Sequence, residues 1–284
     1  MGQTGSLFTQ TLAPADFDRI CSEVYEYCGI NIAPTKQQMV EGRLRKRIRA
    51  LGLSSFSEYC TSVFRKGEIQ DEFIHLVDAI TTNKTEFFRE PAHFSFLKRQ
   101  LLPALIQGSQ PMIRPLRIWS SACSTGQEPY SLAMELAEFN RLQERFEFQV
   151  FATDICTQVL EIATRAVYSS EVAADIPPDL QNRYLLKSKK SGSGLVRIAP
   201  EIRKLVRFRR LNLKEHDYSI KGKMDIIFCR NVIIYFDNQT QETILRRLAL
   251  CLRKGGYLFL GHSEAIHGMN LPVRQVAPTI YERI

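Results

Sequence analysis

From residue 91 onward, helix-like and strand-like segments alternate, and this alternation constrains the fold more than any other feature of the chain. Helix-period "PAHFSFLKRQLLPALIQ" precedes the apolar "LRIWSSAC", and "EPYSLAMELAEFN" precedes "FQVFATDI". After "TQVLEIATRAV" and a break come "LVRFRRLNL" and "MDIIFCRN", then the helical "QTQETILRRLALCL", then "GGYLFLGHSE" and a terminal "TIYERI". Parallel strands need long crossover connections, and helices of this length supply them. The pattern therefore predicts an α/β domain with a largely parallel sheet and helices on both faces. The stretch from about 177 to 205 breaks the rhythm. Its "LLKSKKSGSGLVRIA" reads as two short strands around a Ser/Gly turn, a small antiparallel β insertion.

The first 80 residues have a different character, helical periodicity without strand alternation. Pro14 suits a helix start, and "ADFDRICSEVYEYCG" spaces Phe17, Ile20, Val24, Tyr27 and Cys28 by three and four before Gly29 ends the helix. In "TKQQMVEGRLRKRIRALG", Val40, Leu44, Ile48 and Leu51 share one side, so the basic residues are expected on the remaining surface. Two more helical stretches follow, around "SSFSEYCTSVFRK" and "EIQDEFIHLVDAI". The predicted organisation is an all-helical N-terminal domain over 1–80, a polar connector over 81–90, and an α/β domain over 91–284.

Composition narrows the function classes. At 284 residues, 44% apolar and 24% charged, the chain has the balance of a soluble globular protein. Its longest apolar stretches fall far short of the roughly 18–20 residues that cross a bilayer. The opening "MGQTGSLFTQ" lacks the basic and apolar regions of a secretory signal, although Gly2 with Ser6 fits the short N-myristoylation pattern. Seven scattered cysteines without a C-x-x-C pair point to reduced thiols in a cytoplasm. The histidines show no ligand spacing, His262 and His267 neighbouring only each other, so no metal is expected. The net charge of +8 is concentrated: residues 183–223 hold thirteen Lys/Arg against three acids. With the knot "RLRKRIR" at 43–49, this implies an acidic partner, which leaves nucleic acid, membrane surface and acidic protein open.

In an open parallel sheet, ligands bind beyond the carboxyl ends of the strands. The first strand ends in "SSACSTGQEPYS", where small residues permit close approach of a ligand, Gly126 gives backbone freedom, and Glu128-Pro129 opens a helix. An acid at that helix start would repel a phosphate and welcome a cation. The second strand ends at Asp154, where an acidic residue holds ribose hydroxyls in dinucleotide-binding sheets; a helix N-cap is the plainer alternative. A ribose site with an acid in place of a phosphate cradle fits a positively charged nucleoside such as S-adenosylmethionine. In "MDIIFCRNVIIYFD", Arg230-Asn231 interrupts two apolar runs. A buried guanidinium needs a partner, so either the strand ends there or something meets the arginine, with Asp237 a local candidate.

Together "TTNKTEFFRE", "SSACSTGQEPYS", "FATDI", "RLNL", "FCRNVIIYFD" and "GGYLFLGHSE", in this order, resemble the chemotaxis receptor glutamate methyltransferases, the CheR family, over nearly the whole chain. The resemblance implies a Rossmann-like class I S-adenosylmethionine-dependent methyltransferase fold that methylates glutamate side chains of membrane chemoreceptors, yielding S-adenosylhomocysteine. It further implies that Asn83, Thr85, Arg89, Glu128, Asp154, Asn212, Leu213, Arg230 and Asn231 line the cofactor site. Arg89 and Tyr235 would stand nearest the chemistry, Arg89 holding one oxygen of the substrate carboxylate and Tyr235 orienting the carboxylate or the methyl group. Arg43, Arg45, Lys46, Arg47 and Arg49 would meet acidic faces of the receptor's helical bundle. Some members dock a receptor C-terminal peptide on the β insertion beside a Gly-x-Gly turn. This chain keeps Gly192 and Gly194 but differs in the residues before them.

Two other readings remain. The basic segment would suit a nucleic-acid methyltransferase, but the Asn/Asp-Pro-Pro-aromatic motif of amino-methylating enzymes is replaced by "RNVIIYF", and Pro177-Pro178 lies elsewhere. A cofactor-binding sensor without catalysis is the other, and intact Arg89 and Tyr235 speak against it. The expectation is therefore a cytoplasmic, monomeric receptor methyltransferase without metal, nucleic-acid partner or membrane insertion.

Overall fold

The computed structural model describes residues 11–64, 72–106, 114–143, 146–190, 192–266 and 268–284. Gly2, Ser6 and His267 lie outside them. The chain divides into two compact units, one of residues 1–82 with Tyr235–Asp237, the other of the remainder. The polar connector read as 81–90 thus divides after Thr82, and three residues near the end of "VIIYFD" group with the helical unit.

In the helical unit, α1 (Pro14–Cys28) buries Phe17, Ile20, Val24 and Cys28 and ends at Gly29, whose φ of 77° is left-handed and whose N–H reaches Tyr25 O at 2.8 Å. Helix α2 (Gln37–Ala50) follows, with Val40, Leu44 and Ile48 fully buried, then α3 (Phe56–Phe64) and α4 (Glu72–Ile80). The basic residues of α2 do not all lie on open surface, as the sequence implied. Arg43 donates to the carbonyls of Ile80 and Thr81 at the end of α4. Arg47 grips the buried carboxylate of Glu72 with Nε and Nη2, and the Tyr59 hydroxyl donates to that carboxylate at 3.0 Å. Their long side chains let Arg43 and Arg47, on the same helix as the buried stripe, reach across to α4.

The α/β unit opens with α5 (Pro91–Phe96), which passes through a π-helical turn (Leu97–Leu101) into α6 (Leu102–Ile106). Pro103 has no N–H, and its ring would press on the carbonyl of Arg99. The ladder widens there, and the Leu102 N–H bonds to Leu97 O. There follow β1 (Leu116–Ser121), α7 (Gln127–Gln143), β2 (Phe148–Asp154), α8 (Thr157–Arg165), β3 (Val167–Ser169), α9 (Pro178–Tyr184), β4 (Leu185–Lys187), β5 (Leu195–Ile198) and α10 (Pro200–Arg203). The chain closes with β6 (Val206–Arg210), β7 (Met224–Cys229), α11 (Asn238–Cys251), β8 (Leu252–Leu260), β9 (Val273–Ala277) and β10 (Ile280–Arg283).

Among the described residues, seven strands form the main sheet in the order β6-β2-β1-β7-β8-β10-β9. The first five are parallel, and β10 runs antiparallel to both neighbours. Every residue of β7 is buried, as expected of a strand covered on both faces. Chain order reverses between β1 and β7, so the crevice for a ligand lies at Ser121 and Cys229. Two strands escaped the sequence reading. Most of β9 is exposed and has no apolar run to signal it. The three-residue β3 begins where Ala166 (φ 54°) ends α8, inside what read as helix. It completes the β insertion as a three-stranded antiparallel sheet, β3-β5-β4.

Gly126 shows how tightly the first strand-to-helix turn is packed. Its φ is 96°, and a Cβ there would lie 2.9 Å from both Ala163 Cβ and the Tyr168 hydroxyl. The close approach that small residues permit is thus partly to α8 and β3. Left-handed strain and overpacking add, so Gly126→Ala is expected to lower stability by about 2–4 kcal/mol, measured by urea unfolding; a loss below about 1 kcal/mol would show that the turn yields.

Candidate cofactor and catalytic site

The carboxyl ends of β1, β2, β6 and β7 carry the residues singled out in the sequence. Asp154, last residue of β2, is buried at 7% exposure; its Oδ2 accepts the Ser124 N–H at 2.8 Å and its Oδ1 the Cys156 N–H at 2.9 Å. It is not the N-cap of α8, a position held by Cys156. Asp154 is thus a clasp between the β1 and β2 loops. Asn83 joins the same corner: its carbonyl accepts from Ser124 Oγ at 2.9 Å and its side-chain amide faces Cys156 Sγ at 3.7 Å. Thr85 is half-buried two residues on. After β6, Asn212 Oδ1 caps the Lys214 N–H at 3.0 Å, and Leu213 is buried with its carbonyl bonded to the Tyr218 hydroxyl.

Arg230 answers the question its sequence raises. The strand stops at Cys229, and the guanidinium, 2% exposed, stands between two carboxylates, with Nε 3.5 Å from Glu90 Oε2 and 3.3 Å from Glu128 Oε2. Asp237, the local alternative, instead accepts from the Tyr25 hydroxyl. Arg230 Nη2 donates to the carbonyl of Arg89 at 2.6 Å. Glu128 also accepts from Ser120 Oγ at 2.7 Å. Burial raises the Glu128 carboxyl above the ordinary range, with Arg230 opposing. Burial also disfavours ionisation of Glu90, but Arg230, the His262 N–H and Asn231 outweigh it and hold that carboxyl below the range. Two acids sharing one cation are driven apart in this way.

The connector reaches this centre through a strained turn. Phe88 and Glu90, on either side of Arg89, have φ of 52° and 58°, a region bulky residues rarely occupy. The turn is anchored by the Phe88 N–H on Ser131 Oγ (3.0 Å) and by Glu90 Oε1, which accepts from Asn231 Nδ2 (3.3 Å) and the His262 N–H (3.2 Å). Arg89 itself is half-buried, donates to Lys84 O at 3.2 Å, and lines a cavity of about 580 Å³ with Lys98 and Arg99.

The His262 ring lies 5.3 Å from that of His93, and possible ligand atoms of Glu90, His93 and His262 fall within 4.8 Å of one another. The Arg230 guanidinium already brings a positive charge to that carboxylate. His93 is buried, its Nε2 lies 2.9 Å from Thr279 Oγ1, and burial first, then Arg230, pull its pKa down to about 4, so it is neutral at pH 7.

Tyr235 closes a 3₁₀ turn (Ile233–Tyr235) and groups with the helical unit, where its carbonyl accepts from the Asn31 N–H at 2.8 Å. Of the basic residues in α2, Arg45 pairs with Glu41, Arg43 and Arg47 are spent within the unit as described, and Lys46 and Arg49 are exposed. Gly192 and Gly194 both have positive φ, 73° and 59°, with open space where a Cβ would stand; Gly194 O also accepts from the Ser170 N–H. Glu90, His93, Ser120 and Glu264 were not singled out, although Glu90, Ser120 and Glu264 lie inside motifs quoted from the sequence.

Residues 83–281 match the family described as CheR methyltransferase, SAM binding domain, and residues 15–81 match CheR methyltransferase, all-alpha domain. The chain belongs to the CheR methyltransferase family. It is 43% identical over 269 residues to chemotaxis protein methyltransferase 2 of Pseudomonas aeruginosa, covering 94% of this chain and 92% of that one. The chemotaxis protein methyltransferase of Salmonella typhimurium is 41% identical over 93% of this chain and 89% of its own. That of Escherichia coli is 40% identical over 93% and 90%. This CheR chain thus has an S-adenosylmethionine-dependent methyltransferase domain, and its residues fit that cofactor. Arg230 Nη1 is buried without a hydrogen-bond partner among the described residues, an unmet donor at the switch point next to the acid Glu128. A ligand end bearing both a carboxylate and an ammonium group matches that pairing.

Proposed function

We propose that this chain transfers the methyl group of S-adenosylmethionine to glutamate side chains of membrane chemoreceptors, giving glutamyl methyl esters and S-adenosylhomocysteine. The observation that carries this reading is Arg230 at the switch point, flanked by Glu90 and Glu128 and bound to the connector, in a chain of this family. The cofactor supplies an electrophilic methyl group on a sulfonium. Asp154 accepts its ribose hydroxyls and Glu128 meets its ammonium, with Asn83, Thr85, Asn212, Leu213, Arg230 and Asn231 forming the rest of the lining.

The substrate glutamate is ionised at neutral pH, its reference pKa near 4.3, so the residues have little proton transfer to perform. Their task is placement and exclusion of water. Arg89 holds the carboxylate oxygen that does not attack, a role supported by its place on the cavity it shares with Lys98 and Arg99. Tyr235 orients the carboxylate by hydrogen bonding. Lys46 and Arg49 are the exposed cations of α2 that meet an acidic receptor bundle, with Arg45, half-buried and paired with Glu41, beside them, while Arg43 and Arg47 support the helix. The Gly192–Gly194 turn is the place for a receptor peptide. The same reading takes the protein as a cytoplasmic monomer that needs no metal and no nucleic acid; among the described residues no helix is long and apolar enough to cross a membrane.

The test is transfer of label from radiolabelled S-adenosylmethionine to chemoreceptor-containing membranes, with RNA as a parallel acceptor, followed by mild alkali. Volatile labelled methanol released from the receptor is the expected result; alkali-stable label on RNA would overturn it. Arg89→Ala and Tyr235→Phe are expected to lower turnover at least tenfold while changing cofactor affinity less than threefold, the ratio expected when an interaction acts mainly in the transition state. Unchanged turnover in either variant removes that residue from the mechanism.

A further inference from the structure

The carboxylate of Glu264 is 3% exposed and accepts four backbone N–H groups. Oε2 takes those of Gly261 (2.6 Å) and Asn231 (2.8 Å), and Oε1 those of Val232 and Ile233 (2.8 Å each). From Ile226 opposite Tyr257, strands β7 and β8 stay in register as far as Cys229 opposite Leu260, and the next residue on each strand leaves the ladder. Glu264 bridges the gap that opens there. One side chain thus replaces a rung of the sheet where the chain turns toward Arg230-Asn231. The turn it holds is unusual, since Asn231 has a φ of 56°.

A second observation points the same way. A Cβ on Gly261 would lie 2.6 Å from Asn231 Nδ2, 2.8 Å from Glu264 Oε2 and 2.9 Å from Asn231 N. The strand therefore approaches the turn as closely as a bare backbone permits, and the amide of Asn231 is confined between Gly261 and Glu90 Oε1. From Asn231 the contacts run to Glu90, and from Arg230 to the carbonyl of Arg89. A carboxylate whose four lone-pair directions are all used by fixed backbone donors has one allowed orientation, and so do the groups bonded to it.

We infer that Glu264, with Gly261, is a positioning residue of the methyltransferase site: it sets the Arg230-Asn231 turn and, through that turn, the connector carrying Arg89. This rests on the function proposed above. Glu264 touches neither reactant in this role, and its loss acts through Asn231 and Arg89.

The experiment measures S-adenosylhomocysteine affinity by calorimetry, kcat and KM for S-adenosylmethionine, and urea unfolding, for the full chain and its variants. Glu264→Gln keeps the shape but turns a donor amide toward two N–H groups. It is expected to weaken S-adenosylhomocysteine binding at least tenfold and to lower kcat/KM for the cofactor more than thirtyfold. Gly261→Ala leaves the carboxylate in place and crowds Asn231 directly; it is expected to do the same, and it carries the test where the Gln variant fails to fold. Leu248→Ala, in the buried face of α11, supplies a comparison of lowered stability with unaltered affinity and kinetics of the folded protein. In the double variant with Asn231→Ala, the losses should be well short of multiplicative, since both act on one turn. If Glu264→Gln or, where that variant does not fold, Gly261→Ala shows only a lower unfolding midpoint, with affinity and kinetics unchanged, Glu264 is merely structural and the inference is overturned. Failure of the unsubstituted chain to bind S-adenosylhomocysteine is a separate result and counts against the proposed function itself.

Discussion

Replacing Arg230 by methionine is expected to lower stability by about 3–5 kcal/mol at pH 8, because it removes the cation that two buried carboxylates share and leaves Glu90 and Glu128 facing each other. The loss should shrink toward pH 5. Without the guanidinium, the carboxyl pKa values in the folded variant rise above their unfolded values. A group raised on folding stabilises the fold fully below its unfolded pKa and loses that contribution as pH rises through the folded one. Protonation of Glu128, whose carboxyl burial already raises, relieves the repulsion first. His93 acts in the same direction, since Arg230 helps hold its pKa near 4 and its removal lets the imidazole charge beside Glu90. Urea unfolding of variant and parent at pH 5 and pH 8 measures both parts. An equal loss at the two pH values, or a loss below about 1 kcal/mol, would mean that the carboxylates do not depend on this arginine.

Asp154→Ala is the second large effect. If two ribose hydroxyls donate to this carboxylate, each such bond to a charged acceptor is worth about 1.5–3 kcal/mol, so S-adenosylhomocysteine affinity should fall by about 10² to 10⁴. The substitution also strips the acceptor from the N–H groups of Ser124 and Cys156, which loosens the loop that holds Asn83. Asp154→Asn keeps acceptor oxygen and should lose less than the alanine variant. Calorimetry decides; affinity within threefold of the parent in the alanine variant would remove Asp154 from the cofactor site.

Much of this arrangement was legible in the chain because each strand announces its end. "FATDI" stops at an acid and "FCRN" at an arginine, and both polar residues stand at carboxyl ends in the structure. The family resemblance then ordered these ends into one site. The partners of Arg230 were not legible: Glu90 lies 140 residues away along the chain and Glu128 102, and no local pattern links them. Glu264 was hidden for a related reason. Its four donors are backbone N–H groups, which any sequence has, so only the fold shows that they converge. Strand β9 was missed because it lies mostly exposed at the end of the sheet, and "VRQVA" has the composition of a surface loop. The excess charge of α2 was read as surface because spacing shows which face is apolar and not where a long side chain ends.

The outer strand β6 bears on what the positive charge is for. Among the described residues it pairs only with β2, and its "VRFRR" carries Arg207, exposed, Arg209, lying over the Phe151 ring at 5.0 Å, and Arg210, bonded through Nε to Ile155 O. The far side of such a strand offers a row of backbone donors and acceptors to any other chain that can lie alongside it, and cationic side chains are a common defence against that aggregation. Three of the thirteen cations in residues 183–223 therefore have a reason to be present that involves no binding partner. A basic segment can be the mark of a sheet kept soluble at its margin, and its charge is then no measure of affinity for nucleic acid.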